Sequence, residues 1–417
     1  MISVTTALPA SHTPYIREAY ESLCAQTRQD WIWYVLENAG GKLPEDIAKD
    51  SRVKVMQYKN DKPERNSIGD LKRTVNLAAE TDLIVELDGD DFLLPQCLEK
   101  VSKVFEDESI QYAYSDNADF NAKWESRFFS EYWGWKRKEF IYKGHKLWVM
   151  SDFEPCAQNF RIMYFQPDHV KAWRRSAYLE VGGHNADIPI CDDQDLCYRF
   201  YIKYGAKGFK HINECLYMYR MHEKNSCYVY NAEVQTVAHK LYQQYIYQMA
   251  ERWADDEGLS KMDFGGGLFP KAGYTTVDRR DSADIVCDLN LDWPIPDNSV
   301  GMLRAFHLVE HLRDPIHTMN EAYRVLAPGG FMFIDVPSTD GRGAFQDPTH
   351  CSWWNENSFK YYTDKQTAVF IQPQYKGRFQ ESMLYTYNMG PHVPVVRADL
   401  IAVKPGYEEI AAGNITI

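Results

Sequence analysis

The chain has 417 residues, 45% of them apolar and 25% charged, with a formal net charge of −13. That length suits two domains and the composition is that of a globular protein, while an acidic balance with no long basic block argues against a surface that grips duplex nucleic acid by releasing counterions. The 9 cysteines are scattered, odd in number and without a C-x-x-C pair, which points away from a disulfide framework or zinc ribbon and towards a reducing cytoplasm. Met1 to Ala7 carries no charged n-region, and no stretch approaches the roughly 20 apolar residues of a membrane span, so a cytoplasmic protein without a transmembrane segment is expected.

The N-terminal region alternates strand and helix. Ile2 to Ala7 reads as a strand, and the segment after Pro14 places Ile16, Ala19 and Leu23 on one helical face. Trp31 to Leu36 gives a second strand that runs into Glu37-Asn38, and Val53 to Tyr58 a third. A helix from about Ile68 to Ala79 leads into the apolar run Leu83 to Leu87, which ends in Asp88-Gly89-Asp90-Asp91, with a helix-like stretch from Gln96 to Phe105 beyond. Such alternation predicts a mainly parallel sheet covered by helices on both faces, whose ligands collect at the carboxyl ends of the strands. Thr6, Glu37, Asn38 and Asp88 all fall at such ends.

Two carboxylates leaving a buried strand together suit a divalent cation on a diphosphate, since Mg²⁺ and Mn²⁺ take carboxylate and phosphate oxygens. Asp90 is the expected metal ligand. An Asp-x-Asp triplet alone is weak in so acidic a chain, but further elements stand in order before and after it. These are Val4-Thr5-Thr6-Ala7, Leu23-x-x-Gln26-Thr27-x-x-Asp30-Trp31, Leu36-Glu37-Asn38, Trp173-Arg174-Arg175-Ser176, Gly182-Gly183-His184-Asn185, Asp192-Asp193-Gln194-Asp195-Leu196 and Tyr219-Arg220-Met221-His222-x-x-Asn225-Ser226. Together they resemble family 2 glycosyltransferases of the GT-A fold over roughly residues 1 to 226.

The resemblance implies roles. Asp88 would sit near the ribose or the outer sphere of the metal, and His222 would complete the metal's coordination, favouring Mn²⁺ because imidazole suits a transition ion. Inverting transfer needs a base for the acceptor hydroxyl, and Asp193 is the candidate. Asp192 stands where the family more often has Glu. Nucleobase recognition would fall to Thr6, Ala7 and Glu37 or Asn38, with Lys72 or Arg73 available to the donor. Residues 120 to 165 are rich in aromatics, among them Trp124, Phe128, Phe129, Tyr132, Trp133, Trp135 and Trp148, interleaved with Lys136-Arg137-Lys138. In the resembled family this stretch is the variable acceptor region, and packing or an oligomer contact explains it equally well.

A linker helix from Ala232 to Ala254 precedes a second domain. There Met262-Asp263-Phe264-Gly265-Gly266-Gly267 and Val277-Asp278 give a glycine turn behind a strand and then an acid ending the next strand, an arrangement that lets backbone approach a cofactor while the acid binds ribose hydroxyls. Asp288-Leu289, Pro294-Ile295-Pro296-Asp297, His307-x-x-Glu310-His311, Glu321-x-x-Arg324-Val325-Leu326-x-Pro328-Gly329-Gly330 and Ile334-x-Val336-Pro337 follow. The series resembles class I S-adenosylmethionine-dependent methyltransferases over about residues 260 to 365, and Ala344-Phe345-x-Asp347-Pro348-Thr349-His350 resembles a tail seen in a bacterial and phage branch. By that resemblance Gly265 and Gly267 would line the cofactor, Asp278 its ribose and Asp288 its adenine edge. Phe269 departs from the pattern where a further glycine is common, and Gly301 replaces the usual Asp. His307-x-x-Glu310-His311 also fits a zinc-protease pattern, set aside because the surrounding series gives the segment a methyltransferase-like place.

The expected architecture is therefore α/β: a nucleotide-diphospho-sugar transferase of GT-A fold over 1–228, a linker over 229–258 and a Rossmann-like methyltransferase-type domain over 259–417. The expected function is metal-dependent inverting transfer, using Mn²⁺ or Mg²⁺, from a UDP-sugar to a glycan or other small hydroxyl acceptor, with S-adenosylmethionine a possible second cofactor. One alternative acceptor is a hydroxylated base of phage DNA, disfavoured by the acidic charge but kept open by Lys136-Arg137-Lys138. Another reading is a non-catalytic assembly protein with degenerate nucleotide folds.

Overall fold

Ile2 to Leu8 forms β1, a strand shielded from solvent along almost its whole length, as befits a run of apolar and small polar residues covered on both faces of a sheet. The computed structural model describes residues 1–59, 67–127, 136–151, 153–160 and 167–407. The chain divides into two units, one running from Met1 to Tyr245 and the other starting at Ile246, inside the long helix Asn231–Asp256. No helix among the described residues is long and apolar enough to cross a membrane.

In the first unit β2 (Trp31–Glu37), β3 (Val53–Gln57) and β4 (Leu83–Glu86) join β1 in a parallel array. The remaining strands are β5 (Phe92–Leu93), β6 (Tyr112–Phe120), the hairpin β7 (Lys136–Tyr142) and β8 (His145–Ser151), β9 (Lys171–Arg174) and β10 (Phe209–Arg220). The main order is β3-β2-β1-β4-β9-β6-β10-β5. The expected parallel sheet holds for the first four strands and then turns mixed, because β9 runs antiparallel to both β4 and β6. Its four residues begin and end with a cation, too short a run for any hydrophobic period to reveal. The reversal has a functional consequence: Lys171, which opens β9, pairs with Glu86 at the carboxyl end of β4. The segment before β9 therefore arrives at the same sheet edge as the acidic turn.

The second unit contains β11 (Ser260–Phe264), β12 (Thr275–Asp278), β13 (Ile285–Val286), β14 (Val300–Phe306), β15 (Leu326–Pro337), β16 (Phe379–Gly390) and β17 (Val393–Ala402). Their order is β13-β12-β11-β14-β15-β17-β16, parallel except where β17 meets β15 and β16. This is a doubly wound order with a reversed pair at one edge. The crossover helix Pro315–Val325 is started by Asp314, whose carboxylate accepts the N–H groups of Ile316 and His317 at 3.0 Å each, with Pro315 in the first turn. The link between β11 and β12 contains no helix. Instead the end of the helix Asn231–Asp256 packs against this sheet: Tyr247 lies 5.0 Å from Phe333 and Trp253 6.0 Å from Phe331, ring centre to ring centre. A Cβ on Gly301 would come within 2.8 Å of the Ala254 Cβ, so the departure from Asp at this position follows from a helix seated directly on the strand.

Candidate functional site

The acidic turn behind β4 is held by its last member. Asp91 is buried; one of its carboxylate oxygens accepts the Arg220 N–H at 2.7 Å and the other the Tyr217 hydroxyl at 2.8 Å, and that hydroxyl in turn accepts the Asp88 N–H at 3.2 Å. Burial, then the nearby Asp90 and Asp88, push the Asp91 pKa well above the carboxylate range. Arg220 donates from Nε to the Asp90 carbonyl at 2.7 Å and lies 4.6 Å from the ring centres of both Tyr15 and Phe120. Asp91 and Arg220 thus fix the backbone and leave the Asp90 side chain to the site.

Asp90 Oδ2 lies 2.9 Å from His222 Nε2 and 3.4 Å from His12 Nε2. The His222 ring stacks on Tyr15 at 5.5 Å, and its Nδ1 accepts the Lys224 N–H at 3.2 Å, which places the ring proton on Nε2, facing Asp90. Asp88, Asp91 and His169 also bring donor atoms within 4.8 Å of one another, but both Asp91 oxygens are already committed.

A cavity of about 400 Å³ brings together Ala7, Asn38, Lys72, Asp88, Asp90 and Asp193. Burial opposes ionisation of Asp88, but Lys72, His169 and Lys171 outweigh it and hold its pKa below the usual value. Lys72 Nζ lies 3.3 Å from Glu86 and 4.0 Å from Asp192; burial works against its charge, yet these carboxylates raise its pKa well above normal. Asp193, in the first turn of the helix Asp192–Tyr204, accepts from Lys171 Nζ at 2.6 Å. Burial again opposes the charge, and Lys171 and Lys72 overcome it, so Asp193 is held firmly as a carboxylate. Asp168 lines the same cavity, and burial raises its pKa to about 7.

Of the other expected residues, Thr6, Glu37 and Arg73 do not line the cavity, whereas Asn38 does. Thr6 donates its hydroxyl to the Leu87 carbonyl at 2.6 Å and accepts from Trp33 Nε1 at 2.9 Å. Glu37 accepts the Leu43 N–H and the Lys42 ammonium, each at 2.7 Å, and Arg73 donates to the His184 carbonyl at 3.1 Å. Asn38 Oδ1 is buried without a hydrogen-bond partner. Sequence reasoning missed His12, Asp168, His169 and Lys171. His12 follows β1 in a polar loop and was legible as a strand-end group; the other three required the reversal of β9.

In the aromatic stretch, Phe128, Phe129, Tyr132, Trp133 and Trp135 lie outside the described residues. Trp124 stacks on Phe120 at 4.9 Å and on His145 at 5.0 Å, while Arg137 sits 4.9 Å over the Trp148 ring. The Lys136-Arg137-Lys138 cluster is split by strand alternation, and Lys138 Nζ pairs with Asp116 at 3.3 Å.

In the second unit Gly265 and Gly267 adopt φ of 69° and 55°, backbone that L side chains rarely take. A Cβ on Gly265 would meet Leu308 Cδ1 at 2.7 Å, so this turn lies directly against the segment that follows β14. The Gly267 N–H donates to Asp278 Oδ2 at 3.1 Å, joining the turn to the acid of β12. Asp288 is exposed, and its Oδ1 accepts both the Asn290 N–H at 3.0 Å and the Asn290 amide at 2.9 Å. Phe269 is 88% exposed, so the place of the missing glycine is a solvent-facing loop.

These two arrangements, an acidic strand end facing an acid at a helix start and a glycine turn tied to the acid of the next strand, define a nucleotide-diphospho-sugar transferase fold and a Rossmann-like methyltransferase fold. Residues 11–166 match the glycosyl transferase family 2 and residues 271–334 a methyltransferase domain family. The chain thus joins a family 2 glycosyltransferase domain to a methyltransferase-like domain. It is 36% identical over 61 residues to a protein of Mycolicibacterium smegmatis described as a probable S-adenosylmethionine-dependent methyltransferase, a stretch that covers 14% of this chain and 24% of that relative. Among solved structures, S. aureus TarS is similar at 13% identity and a TM-score of 0.42, covering 61% of this chain and 43% of that one. Its 1–349 portion in complex with UDP-GlcNAc is similar at 13% identity and a TM-score of 0.43, covering 61% of this chain and 72% of that one.

Proposed function

We propose that the first unit is a metal-dependent, inverting glycosyltransferase that moves a sugar from a nucleotide diphosphate, UDP-sugar preferred, to a hydroxyl of a glycan or small acceptor in the cytoplasm. The observation that carries this reading is one cavity lined both by the acidic turn and by the head of the helix that begins at Asp192. A carboxylate oxygen and an imidazole nitrogen 2.9 Å apart form a donor pair that fits a divalent cation, and the imidazole favours Mn²⁺ over Mg²⁺. Asp90 and His222 would hold the ion, which when bound neutralises charge on the leaving diphosphate. Asp88, kept ionised by its lysines, serves the ribose or the outer sphere of the ion. Asn38 Oδ1, buried and without a partner, suits a base that offers a ring N–H, and uracil offers one between two carbonyls. Ala7 supplies backbone beside it, while Thr6 and Glu37 fix the strand ends from behind.

Asp193 takes the proton of the acceptor hydroxyl. While Lys171 holds it at 2.6 Å the carboxylate is a weak base, so the acceptor must displace that contact before transfer. A second reading gives the proton to Asp168, whose burial brings its pKa to about 7, near the pH at which a base turns over. Transfer rates of Asp193→Asn and Asp168→Asn decide between the two. A donor screen by mass spectrometry, run with glycan and hydroxylated-DNA acceptors and with Mn²⁺, Mg²⁺ or chelator, tests the whole reading. Metal-dependent consumption of a UDP-sugar is expected. Failure to consume any nucleotide sugar would favour a non-catalytic assembly protein. For the second unit we infer S-adenosylmethionine as ligand, with Gly265 and Gly267 against it, Asp278 on its ribose hydroxyls and Asp288 at its adenine edge.

A further inference from the structure

The chain leaves β14 through His307, at φ 51°, and enters the short 3-10 turn Val309–His311. A distant loop is fastened onto that turn by three hydrogen bonds: the Cys351 and Ser352 N–H groups donate to the Glu310 carbonyl at 2.8 and 3.1 Å, and the Ser352 hydroxyl donates to the Val309 carbonyl at 2.8 Å. The backbone, not the imidazole, therefore delivers His350 to Glu310. Donor atoms of Glu310, His311 and His350 lie within 4.8 Å of one another, and Glu310 Oε1 stands 4.0 Å from His350 Nε2. Ligands at about 2.1 Å from a tetrahedral ion are about 3.4 Å apart, so the Glu310–His350 pair must close by about half an ångström and the pairs with His311 by at most about 1.4 Å.

The ring nitrogens are set for ligation. His350 Nδ1 lies 2.8 Å from the Ala344 carbonyl, a group that can only accept, so the proton is on Nδ1 and the Nε2 lone pair faces Glu310. His311 Nδ1 lies 3.3 Å from the Thr349 carbonyl and 3.0 Å from its hydroxyl, which again puts the proton on Nδ1 and leaves Nε2 free to bind. A carbonyl holding the far nitrogen is the usual support for a metal-binding histidine. Glu310 is 2% exposed, and its Oε2 is buried with no hydrogen-bond partner. An unsatisfied carboxylate oxygen in such a place is costly unless a cation meets it. His307 Nδ1, 3.8 Å from Glu310 Oε1, is the competing partner, too far for a hydrogen bond. The segment is a tight turn and not a helix, so His307 and His311 do not form the paired ligands of a zinc-protease helix.

We propose that the second unit holds a first-row divalent transition ion on Glu310, His311 and His350, beside the Gly265 turn. Two imidazoles and one carboxylate are a donor set for zinc and its neighbours, whereas Mg²⁺ and Ca²⁺ favour oxygen throughout. Three protein donors leave a position open to water or to an oxygen of a methyl acceptor.

The test uses the full chain, stripped of metal, with Asp90→Asn and His222→Ala removing the candidate site of the first unit. Titrated with Co²⁺, it should bind one equivalent and develop the visible absorption of an ion in a low-symmetry site. Adding His311→Gln or His350→Gln should weaken Co²⁺ by more than the roughly 10–100-fold that losing a mere supporting partner costs. Circular dichroism of the metal-free chains checks that they fold, and the titration of the Asp90→Asn/His222→Ala chain stands even where a glutamine variant does not. Absence of a bound equivalent in that chain, or equal Co²⁺ affinity in folded glutamine variants, overturns the proposal.

Discussion

Each unit brings imidazole and carboxylate together, and the two clusters differ in which ring nitrogen is free. In the first, a backbone N–H occupies His222 Nδ1, so Nε2 carries the proton and donates a hydrogen bond to Asp90. In the second, carbonyls take the Nδ1 protons of His311 and His350 and leave both Nε2 lone pairs available. A histidine's readiness for metal is thus decided by the neighbour of its other nitrogen. The first cluster has to give up the Lys224 contact to ligate an ion, which suits a metal that arrives with its diphosphate. The second is set to hold an ion on its own. Mn²⁺ should accordingly bind the first unit on the order of 10-fold more tightly when UDP is present, while the Co²⁺ affinity of the second should not change with UDP. Calorimetry of the two ions with and without nucleotide checks this, and equal UDP coupling at both sites would erase the distinction.

The roles within the first cavity can be broken one at a time. If Asp193 is the base, as proposed, Asp193→Asn should lower transfer by about 10²–10⁴-fold while leaving UDP-sugar affinity near that of the unaltered chain. Lys171→Met leaves the Asp193 carboxylate without its ammonium, and because Asp193 is half-buried, chemical denaturation should report a loss of about 1.5–3 kcal/mol, the range for a hydrogen bond to a charged group. In the second unit, S-adenosylmethionine at a hundredfold excess over its dissociation constant should stabilise by about 2.7 kcal/mol in a thermal melt, and Asp278→Ala should abolish the shift. Gly301→Ala, which puts a Cβ against Ala254, should cost about 1–3 kcal/mol by overpacking, visible as an earlier unfolding step. A further effect is a slope. Asp168 has a folded pKa of about 7, above its ordinary 3.8, so the native state keeps that proton longer than the unfolded chain. Stability should fall as pH rises from about 4 through 7 on this account, and Asp168→Asn should flatten the fall.

Legibility followed the physics of each feature. Strands β1 and β2 are long and apolar enough to announce themselves, and β4, though only four residues, lies in the apolar run Leu83 to Leu87, so the acids at the ends of β2 and β4 could be placed from the sequence. Helix Asp192–Tyr204 was readable from its acidic first turn, which the helix dipole favours. Lys171 was not: nothing in a four-residue strand says that it runs backwards beside β4, and without that reversal its contact with Asp193 has no local signature. Gly301 looked like a departure from a pattern and proved to be a packing requirement, because the helix it touches precedes the domain in sequence and only tertiary structure brings the two together. His350 was seen as part of a tail, yet its pairing with Glu310 depends on hydrogen bonds across 40 residues of chain that no spacing rule encodes.

The central claim is that Asp90 and His222 place a divalent ion on the diphosphate of a nucleotide-sugar donor. Calorimetric titration of UDP into the chain with Mn²⁺ or with EDTA, repeated on Asp90→Asn and Asp193→Asn, tests it most directly. The account predicts Mn²⁺-dependent binding in the unaltered chain and in Asp193→Asn, and weak, metal-independent binding in Asp90→Asn. UDP binding of the same strength with EDTA as with Mn²⁺, or no difference between Asp90→Asn and the unaltered chain, would contradict it.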